Sequence, residues 1–432
     1  MSAPPGLPER GAASVPAPHL ISWNLTRRCN LACAHCYLDA VQRGQARDDV
    51  DSDAAREVIA QIAPLAPGAM LVLTGGEPLM RRDLPELIRA AAASGLAPVV
   101  GTNGTLLDPR RAAALRAAGA LGVGVSLDSA TAGFHDRLRG QPGAWAGALR
   151  GMAAARAAGL ALLVQATVFE ENRRELAAIA DLAVASGAIA FNVFFLVCTG
   201  RGATQTDLSP EAYEQTLAQI VHLQRAQPQM KVRARCAPYL RRVLGLQATE
   251  ARGDFADWSS ACLAGRRYLR ITPQATVTPC PYIPEVVGDL RKESLRTIWE
   301  QHPTLVRLRS ELPRGRCADC DFRYSCGGCR ARAFARHRDL MGEDPNCRHV
   351  RAPARPPEPP PASCAGSAAS AAIAWEPEAE TRLQRIPAFL RERIRSRLEE
   401  HARREGVGVI TGAFMAAHRP PGGPPGASTV AR

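Results

Sequence analysis

The chain has 432 residues, 46% of them hydrophobic, and a formal net charge of +13 carried almost wholly by arginine, since Lys231 and Lys292 are its only lysines. That length suggests about three domains, and no stretch approaches the roughly 20 apolar residues of a membrane span. The segment Ser2-Ala3-Pro4-Pro5-Gly6 offers neither a basic start nor an apolar core for an export signal, so a cytoplasmic location is expected. Thirteen cysteines in that setting argue for metal rather than disulfides. The basic excess suits an anionic substrate; nucleic acid is set aside because no helix-turn-helix or RNA-binding motif accompanies the charge.

Residues 1–18 are rich in Pro, Gly and Ala and read as disordered. From 20 to about 200, short apolar runs alternate with Ala- and Arg-rich segments of helical length. Strands are predicted at Leu20–Leu25, Met70–Leu73, Pro98–Gly101, Gly122–Leu127, Leu162–Val168 and Phe191–Val197, and helices near 53–63, 84–94, 109–118, 145–158 and 172–186. Such alternation reads as βα units on a parallel sheet. Six units predict an α/β fold, a partial (β/α)6 barrel, with ligands at the carboxyl ends of the strands.

The motifs fall at those ends. After the first run comes Arg28-Cys29-Asn30-Leu31-Ala32-Cys33-Ala34-His35-Cys36-Tyr37, three cysteines with gaps of three and two. Three thiolates on so short a loop suit three corners of a 4Fe–4S cluster, leaving one iron open for chemistry. Zinc or disulfides are the alternatives; zinc needs a fourth ligand at usual spacing, and His35 is wedged between two of the cysteines. Arg27 and Arg28 would favour thiolate over thiol. Thr74-Gly75-Gly76-Glu77-Pro78 follows the second strand: glycines allow close backbone approach, Glu77 offers a carboxylate to an ammonium group, and Pro78 stiffens the turn. Gly101–Thr105 closes the third strand and Ser126-Leu127-Asp128 the fourth, where turn chemistry and helix caps compete with ligand binding for Asn103 and Asp128.

Residues 210–226 read as a further amphipathic helix, followed by an Arg-rich approach to Cys236. Cys236 and Cys198 are each a ligand, a substrate contact or a packed thiol. Seven cysteines then fall between 262 and 347: Cys262, Cys280, Cys317, Cys320, Cys326, Cys329 and Cys347. Only five residues separate Cys320 from Cys326, far fewer than in a zinc ribbon, which suits interleaved cluster ligands. A Pro-rich linker follows Arg351, and Cys364 within it is read as unliganded. Trp375, Leu383, Ile386, Phe389, Leu390, Ile394 and Leu398 then recur at helical spacing, broken at Gly406-Val407-Gly408 before a short helix from Thr411.

The Cys29–Cys33–Cys36 spacing, with Tyr37 directly after it, resembles the signature of the radical S-adenosylmethionine (SAM) enzymes. The resemblance implies SAM bound on the open iron and its cleavage to a 5′-deoxyadenosyl radical. It further implies that Gly75, Gly76, Glu77 and Pro78 meet the methionine amino group, that Asn103, Ser126 and Asp128 line the SAM site, and that Arg139, within His135–Gly140, reaches the SAM carboxylate. The competing reading of Arg139 is a surface salt bridge. Leu196 and Tyr37 would contact adenine, or simply pack in the core.

The later cysteines resemble the SPASM extension of such enzymes. Its pattern implies one auxiliary cluster on Cys262, Cys280 and Cys329, with the fourth ligand undetermined, and another on Cys317, Cys320, Cys326 and Cys347. Where the family usually has glycine, five residues before the second cysteine, this chain has Ala275. The segment from Trp375 to Thr411 resembles the small C-terminal domain of the dark-operative protochlorophyllide reductase catalytic subunit. The resulting division is 19–228 for the barrel, 229–351 for the auxiliary cluster domain, 352–373 for the linker, 374–419 for a small helical unit and 420–432 for a disordered tail. The chain is similar to the SPASM enzymes of haem d1 or alternative haem synthesis, and the resemblance implies a radical SAM oxidoreductase modifying tetrapyrrole side chains, with Arg201, Arg233 and Arg235 as propionate clamps and a ferredoxin or flavodoxin as reductant. The alternative is a maturase acting on a ribosomal peptide or partner enzyme; residues 1–18 are too short for the peptide-capturing domain that usually precedes such barrels.

Overall fold

The computed structural model describes residues 15–41, 48–205, 207–246, 261–353, 356–358, 373–384, 394–395, 398–399, 401–403 and 405–418. Cys364, Ile386, Phe389 and Leu390 lie outside the described residues.

All six anticipated strands are present: β1 (Leu20–Asn24), β2 (Met70–Thr74), β3 (Ala97–Thr102), β4 (Gly122–Ser126), β5 (Ala161–Val168) and β6 (Ala190–Phe195). They pair in parallel and in chain order. A seventh, β7 (Lys231–Arg235), adds to β6. It escaped the sequence reading because alternating Lys231, Arg233 and Arg235 hide the single buried Val232. On the other edge β8 (Tyr268–Ile271) pairs in parallel with β1 and carries antiparallel β9 (Thr276–Thr278) and β10 (Gly288–Asp289). The cysteine-rich second half thus extends the sheet of the first.

Monotonic parallel strand order, with the usual right-handed hand of such crossovers, puts the crossover helices on one face of the sheet. The burial of β5 follows: Leu162, Val164, Ala166 and Val168 are buried in the main core with α1 (Ser52–Leu65), α2 (Leu84–Ala93), α3 (Pro109–Ala117), α5 (Ala144–Ala157) and α6 (Leu176–Ala185), while Leu163, Gln165 and Thr167 are half-buried on the inner face. One further helix, α4 (Ala132–Arg139), occupies the stretch read only as a motif. Arg235 at the end of β7 lies within electrostatic reach of Tyr268 on β8, so the two open sides of the barrel face one another across a seam.

Ala275, in the β8–β9 turn, takes φ 60° and is 1% exposed. That is where a Cβ costs about 1–2 kcal/mol, which gives the usual glycine a backbone reason. Ala275→Gly is expected to raise stability by about 0.5–1 kcal/mol once the added chain entropy is counted. A lower melting temperature would contradict it.

A smaller unit closes the described chain. Its two short parallel strands, β11 (Ala374–Trp375) and β12 (Val409–Ile410), and the helices Pro377–Gln384 and Gly412–Ala417 bury Ala379, Leu383, Leu398, Ala402 and Ile410. Thr411 caps the last helix, as its position predicts. Arg395 pairs with Glu380 and stacks over Trp375 at 4.6 Å.

Candidate active site and cysteine centres

The β1–β2 ladder continues past the strand ends and fixes the first cysteine loop. Leu25 N donates to Thr74 O (2.7 Å), Gly76 N to Thr26 O (2.7 Å) and Glu77 N to Arg28 O (2.8 Å). A Cβ on Gly76 would stand 2.3 Å from Arg28 O, and one on Gly75 would stand 2.6 Å from Thr26 O. The two loops therefore lie against each other only because both residues are glycine. The far side of the cysteine loop is held by the end of α4: Ala32 N donates to Arg139 O and Ala34 N to Leu138 O. Arg201 supplies a third tie, through Nε to Cys33 O (3.0 Å) and Nη1 to Ala40 O (3.0 Å). Its guanidinium braces this loop through these two nitrogens.

Cys29 and Cys33 are buried and Cys36 is half-buried. Burial, against the lowering effect of the Leu31 N–H and together with the neighbouring Glu77, Cys33 and Cys36 charges, pushes the Cys29 thiol up to about 12. Neither Arg27 nor Arg28 relieves this. Arg27 donates to Asp39 O and Arg28 is exposed. The cation that faces the loop is Arg139, with Nη1 at 3.8 Å from Cys33 Sγ. Three buried thiols, whose thiolates would repel one another, suit a cationic metal group, which stabilises the thiolates that the protein alone does not. His35 Nδ1, in the same loop, is a buried atom with no hydrogen-bond partner among the described residues.

Around the loop, Glu77 is fully buried and already accepts from Thr102 Oγ1 (2.8 Å), Asn103 N (2.9 Å) and Leu79 N (3.1 Å). Of a carboxylate's roughly four acceptor positions, one on Oε2 remains for an ammonium group. Asn103 reaches Asn30 Oδ1 (2.9 Å), and its own Oδ1 accepts from Thr105, so it ties the third strand end to the cysteine loop. Asp128 and Arg139 form a buried pair, Nε to Oδ2 at 2.8 Å, rather than a surface bridge. Burial would raise the Asp128 carboxyl, but Arg139, His35 and His135 hold it below its usual range. Ser126 stands at the β4 end opposite Gln165. Leu196 is buried with Leu138 and Phe169, beside Cys198. Tyr37 accepts from Asn24 Nδ2 (2.9 Å), lies under the Arg270 guanidinium and meets Tyr282 edge-on. Arg270 and Asn24 left no motif signal in the sequence.

Four cysteines, not three, meet at the seam. Cys236, Cys262, Cys280 and Cys329 lie within charge range of one another, and burial, followed by those neighbours, raises the Cys236 and Cys280 thiols. Cys236 has φ 59°, a left-handed conformation uncommon for a residue with a Cβ. A lone packed thiol needs no such backbone. Cys317, Cys320, Cys326 and Cys347 line a separate small cavity, partly open to solvent. The Cys326–Cys329 turn depends on Gly327 and Gly328 at φ 67° and 69°.

Between the two groups sits Arg332, unnoticed in the sequence. It donates to Asp344 Oδ2 (3.0 Å), Tyr239 Oη (2.9 Å), Cys236 O (3.0 Å) and Tyr213 Oη. Asp344 in turn accepts from Cys329 N at 2.6 Å.

Three family models match the chain. The radical SAM superfamily model matches residues 23–183, the SPASM iron-sulfur cluster-binding domain 262–321, and the proto-chlorophyllide reductase 57 kD subunit 375–419. The "AdoMet-dependent heme synthase" of Methanosarcina barkeri is 36% identical, over 77% of this chain and 96% of its own length. The protein of the same name from Nitratidesulfovibrio vulgaris is 33% identical, over 77% and 92%. Streptococcus suis SuiB bound to S-adenosylmethionine has the same fold, with a TM-score of 0.62 over 77% of this chain and 78% of its own, at 14% identity.

Proposed function

The chain belongs to the radical SAM superfamily, among the members that carry a SPASM domain, and from that membership we propose that it is an oxidoreductase modifying the side chains of a propionate-bearing tetrapyrrole. The SAM-bound 4Fe–4S cluster supplies the hydrogen-abstracting 5′-deoxyadenosyl radical. Cys29, Cys33 and Cys36 would hold that cluster. Gly75, Gly76, Glu77, Pro78, Asn103, Ser126, Asp128 and Arg139 would surround SAM, with Tyr37 and Leu196 on its apolar side. Glu77 orients the loop and keeps one acceptor for the amino group. The Asp128–Arg139 pair keeps a guanidinium beside the cysteine loop without leaving its charge uncompensated. Cys236, Cys262, Cys280 and Cys329 would hold one auxiliary cluster, and Cys317, Cys320, Cys326 and Cys347 the other. The electron would come from a ferredoxin- or flavodoxin-type donor in the cytoplasm.

The observation that carries the substrate class is the inner wall near the seam. Arg233 and Arg235, two apart on β7, project to the same side of the sheet as Asn192 in the β6–β7 register. Arg235 reaches Asn192 Oδ1 at 3.4 Å, and no carboxylate among the described residues forms an ion pair with it. A half-buried guanidinium without an anion favours a ligand that brings one. Its place beside the seam puts that anion next to the strand ends.

The test uses full-length, cluster-loaded protein under anaerobic conditions with a propionate-bearing iron porphyrin. A saturable Soret shift is expected, together with 5′-deoxyadenosine formed in step with a mass change in the porphyrin. Arg235→Met should weaken the Soret titration by about tenfold or more, the loss expected for one charge-assisted hydrogen bond. No Soret shift, with a SAM-dependent mass change in a peptide instead, would sink the tetrapyrrole reading.

A further inference from the structure

The small C-terminal unit holds a group of side chains that the radical chemistry does not use. His401 and Glu405 are four apart and each is helical, the spacing of two side chains on one helix face. His418 ends the next helix, Gly412–Ala417. The chain between them turns back through β12, and the three side chains converge: one ligand atom from each lies within 4.8 Å of the other two. The His401 and His418 rings are 4.8 Å apart. His418 Nε2 faces Glu405 Oε1 at 2.7 Å.

The other nitrogen of His418 settles its tautomer. Nδ1 lies 2.9 Å from Phe414 O. A carbonyl only accepts, so Nδ1 carries the hydrogen, and in the neutral ring Nε2 keeps its lone pair. That lone pair then points at a carboxylate oxygen, and two acceptors so close require either a proton or a cation between them. A ring nitrogen anchored on a backbone carbonyl, with its partner turned inward, is how metal-binding histidines are commonly oriented. The Phe414 ring, stacked on His418 at 4.1 Å, shields one side.

We propose that His401, Glu405 and His418 form a binding site for one divalent cation of the zinc class, which ties the helical stretch at 401–405 to the end of the last helix. Two imidazole nitrogens and a carboxylate oxygen make a His2Glu set with room for water in a fourth position. Ligand atoms of a four-coordinate zinc site sit about 3.4 Å apart when each bond is about 2.1 Å, so small side-chain rotations open the 2.7 Å contact and close the wider ones. Three ligands converging from one side do not suit a tetrapyrrole iron, whose ring leaves only axial positions on opposite faces. The three residues are thus not a ligand set for a tetrapyrrole iron, and none of them belongs to the cysteine centres. The competing arrangement is a protonated His418 paired with Glu405, which takes no metal.

Full-length, cluster-loaded protein is incubated anaerobically with a small excess of zinc chloride, desalted, and assayed for zinc and iron by mass spectrometry. The expected result is about one retained zinc per chain with the iron content unchanged, and no retained zinc in His401→Gln/His418→Gln at the same iron content. Glu405 is half exposed, at 49%, so Glu405→Gln keeps the unit folded should the double variant not; its zinc affinity should fall by at least about tenfold, the smaller end of the loss seen when even an outer partner is removed. Wild-type protein that retains no zinc overturns the proposal. So does zinc retained equally by all three proteins, or zinc gained only as iron is lost, because the metal would then sit on the cysteines.

Discussion

Full-length protein with Cys29, Cys33 and Cys36 all changed to alanine will form no 5′-deoxyadenosine from SAM under reducing conditions, and will hold about four irons fewer than the wild type, one 4Fe–4S cluster's worth. The three positions share a loop clamped on three sides, by the glycine loop after β2, the end of α4 and Arg201. Those clamps are largely backbone contacts, so the loop keeps its path when the sulfurs go. The auxiliary cysteines are ordered by other contacts and should keep their share, about eight irons if both centres are of the 4Fe–4S type. Cys236→Ala is the contrasting variant: it should lose auxiliary iron while SAM cleavage without substrate persists. Deoxyadenosine production surviving in the triple variant would remove this loop from the chemistry. An unchanged iron count in Cys236→Ala would return that cysteine to the role of a packed thiol.

Arg332→Met should destabilise the protein by about 3–5 kcal/mol, the usual cost of removing one partner of a buried ion pair. The side chains of Arg332 and Asp344 are 5% and 0% exposed. Methionine fills part of the space but leaves Asp344 buried with its backbone donors and no countercharge. Cys236 O, Tyr213 and Tyr239 each lose a donor at the same time. Because Asp344 accepts from Cys329 N and Arg332 donates to Cys236 O, the damage reaches two of the four seam cysteines directly. Lower auxiliary iron occupancy should therefore accompany a lower urea midpoint. Arg332→Lys keeps a charge but not the fork that reaches four partners, and should recover only part of the loss. A shift below about 1 kcal/mol, typical of an exposed pair, would show that this network does not hold the two cysteine groups together.

The elements that the sequence announced are those whose signal is local. The six barrel strands were visible because short apolar runs alternate with Ala- and Arg-rich segments of helical length, and every run proved to be a strand in the parallel sheet. The cysteine loop, the Gly75–Pro78 turn and the Cys326–Cys329 turn carry their meaning in residue type and short spacing. Ala275 was flagged as a departure, and its φ of 60° supplies the reason. Strand β7 and helix α4 were missed because charged side chains on the inner wall, and a motif read for its ligands, masked the underlying periodicity.

Chain sequence alone determined that this is a cluster-bearing α/β protein with its chemistry at the strand ends, since those conclusions need only neighbours within about ten residues. Tertiary structure decided which arginine faces which group. Arg139 is buried on Asp128 and Cys33, Arg201 braces the cysteine loop, Arg235 keeps no carboxylate partner among the described residues, and Arg332 joins two cysteine groups. It also brought Cys236 beside Cys262, Cys280 and Cys329, and His401 beside His418. A guanidinium or a thiol has the same local signature whatever it meets. Its role is set by partners that may be over a hundred residues away, as Arg332 is from Tyr213 with a separation of 119, and only closure of the sheet and packing across its seam bring them within reach.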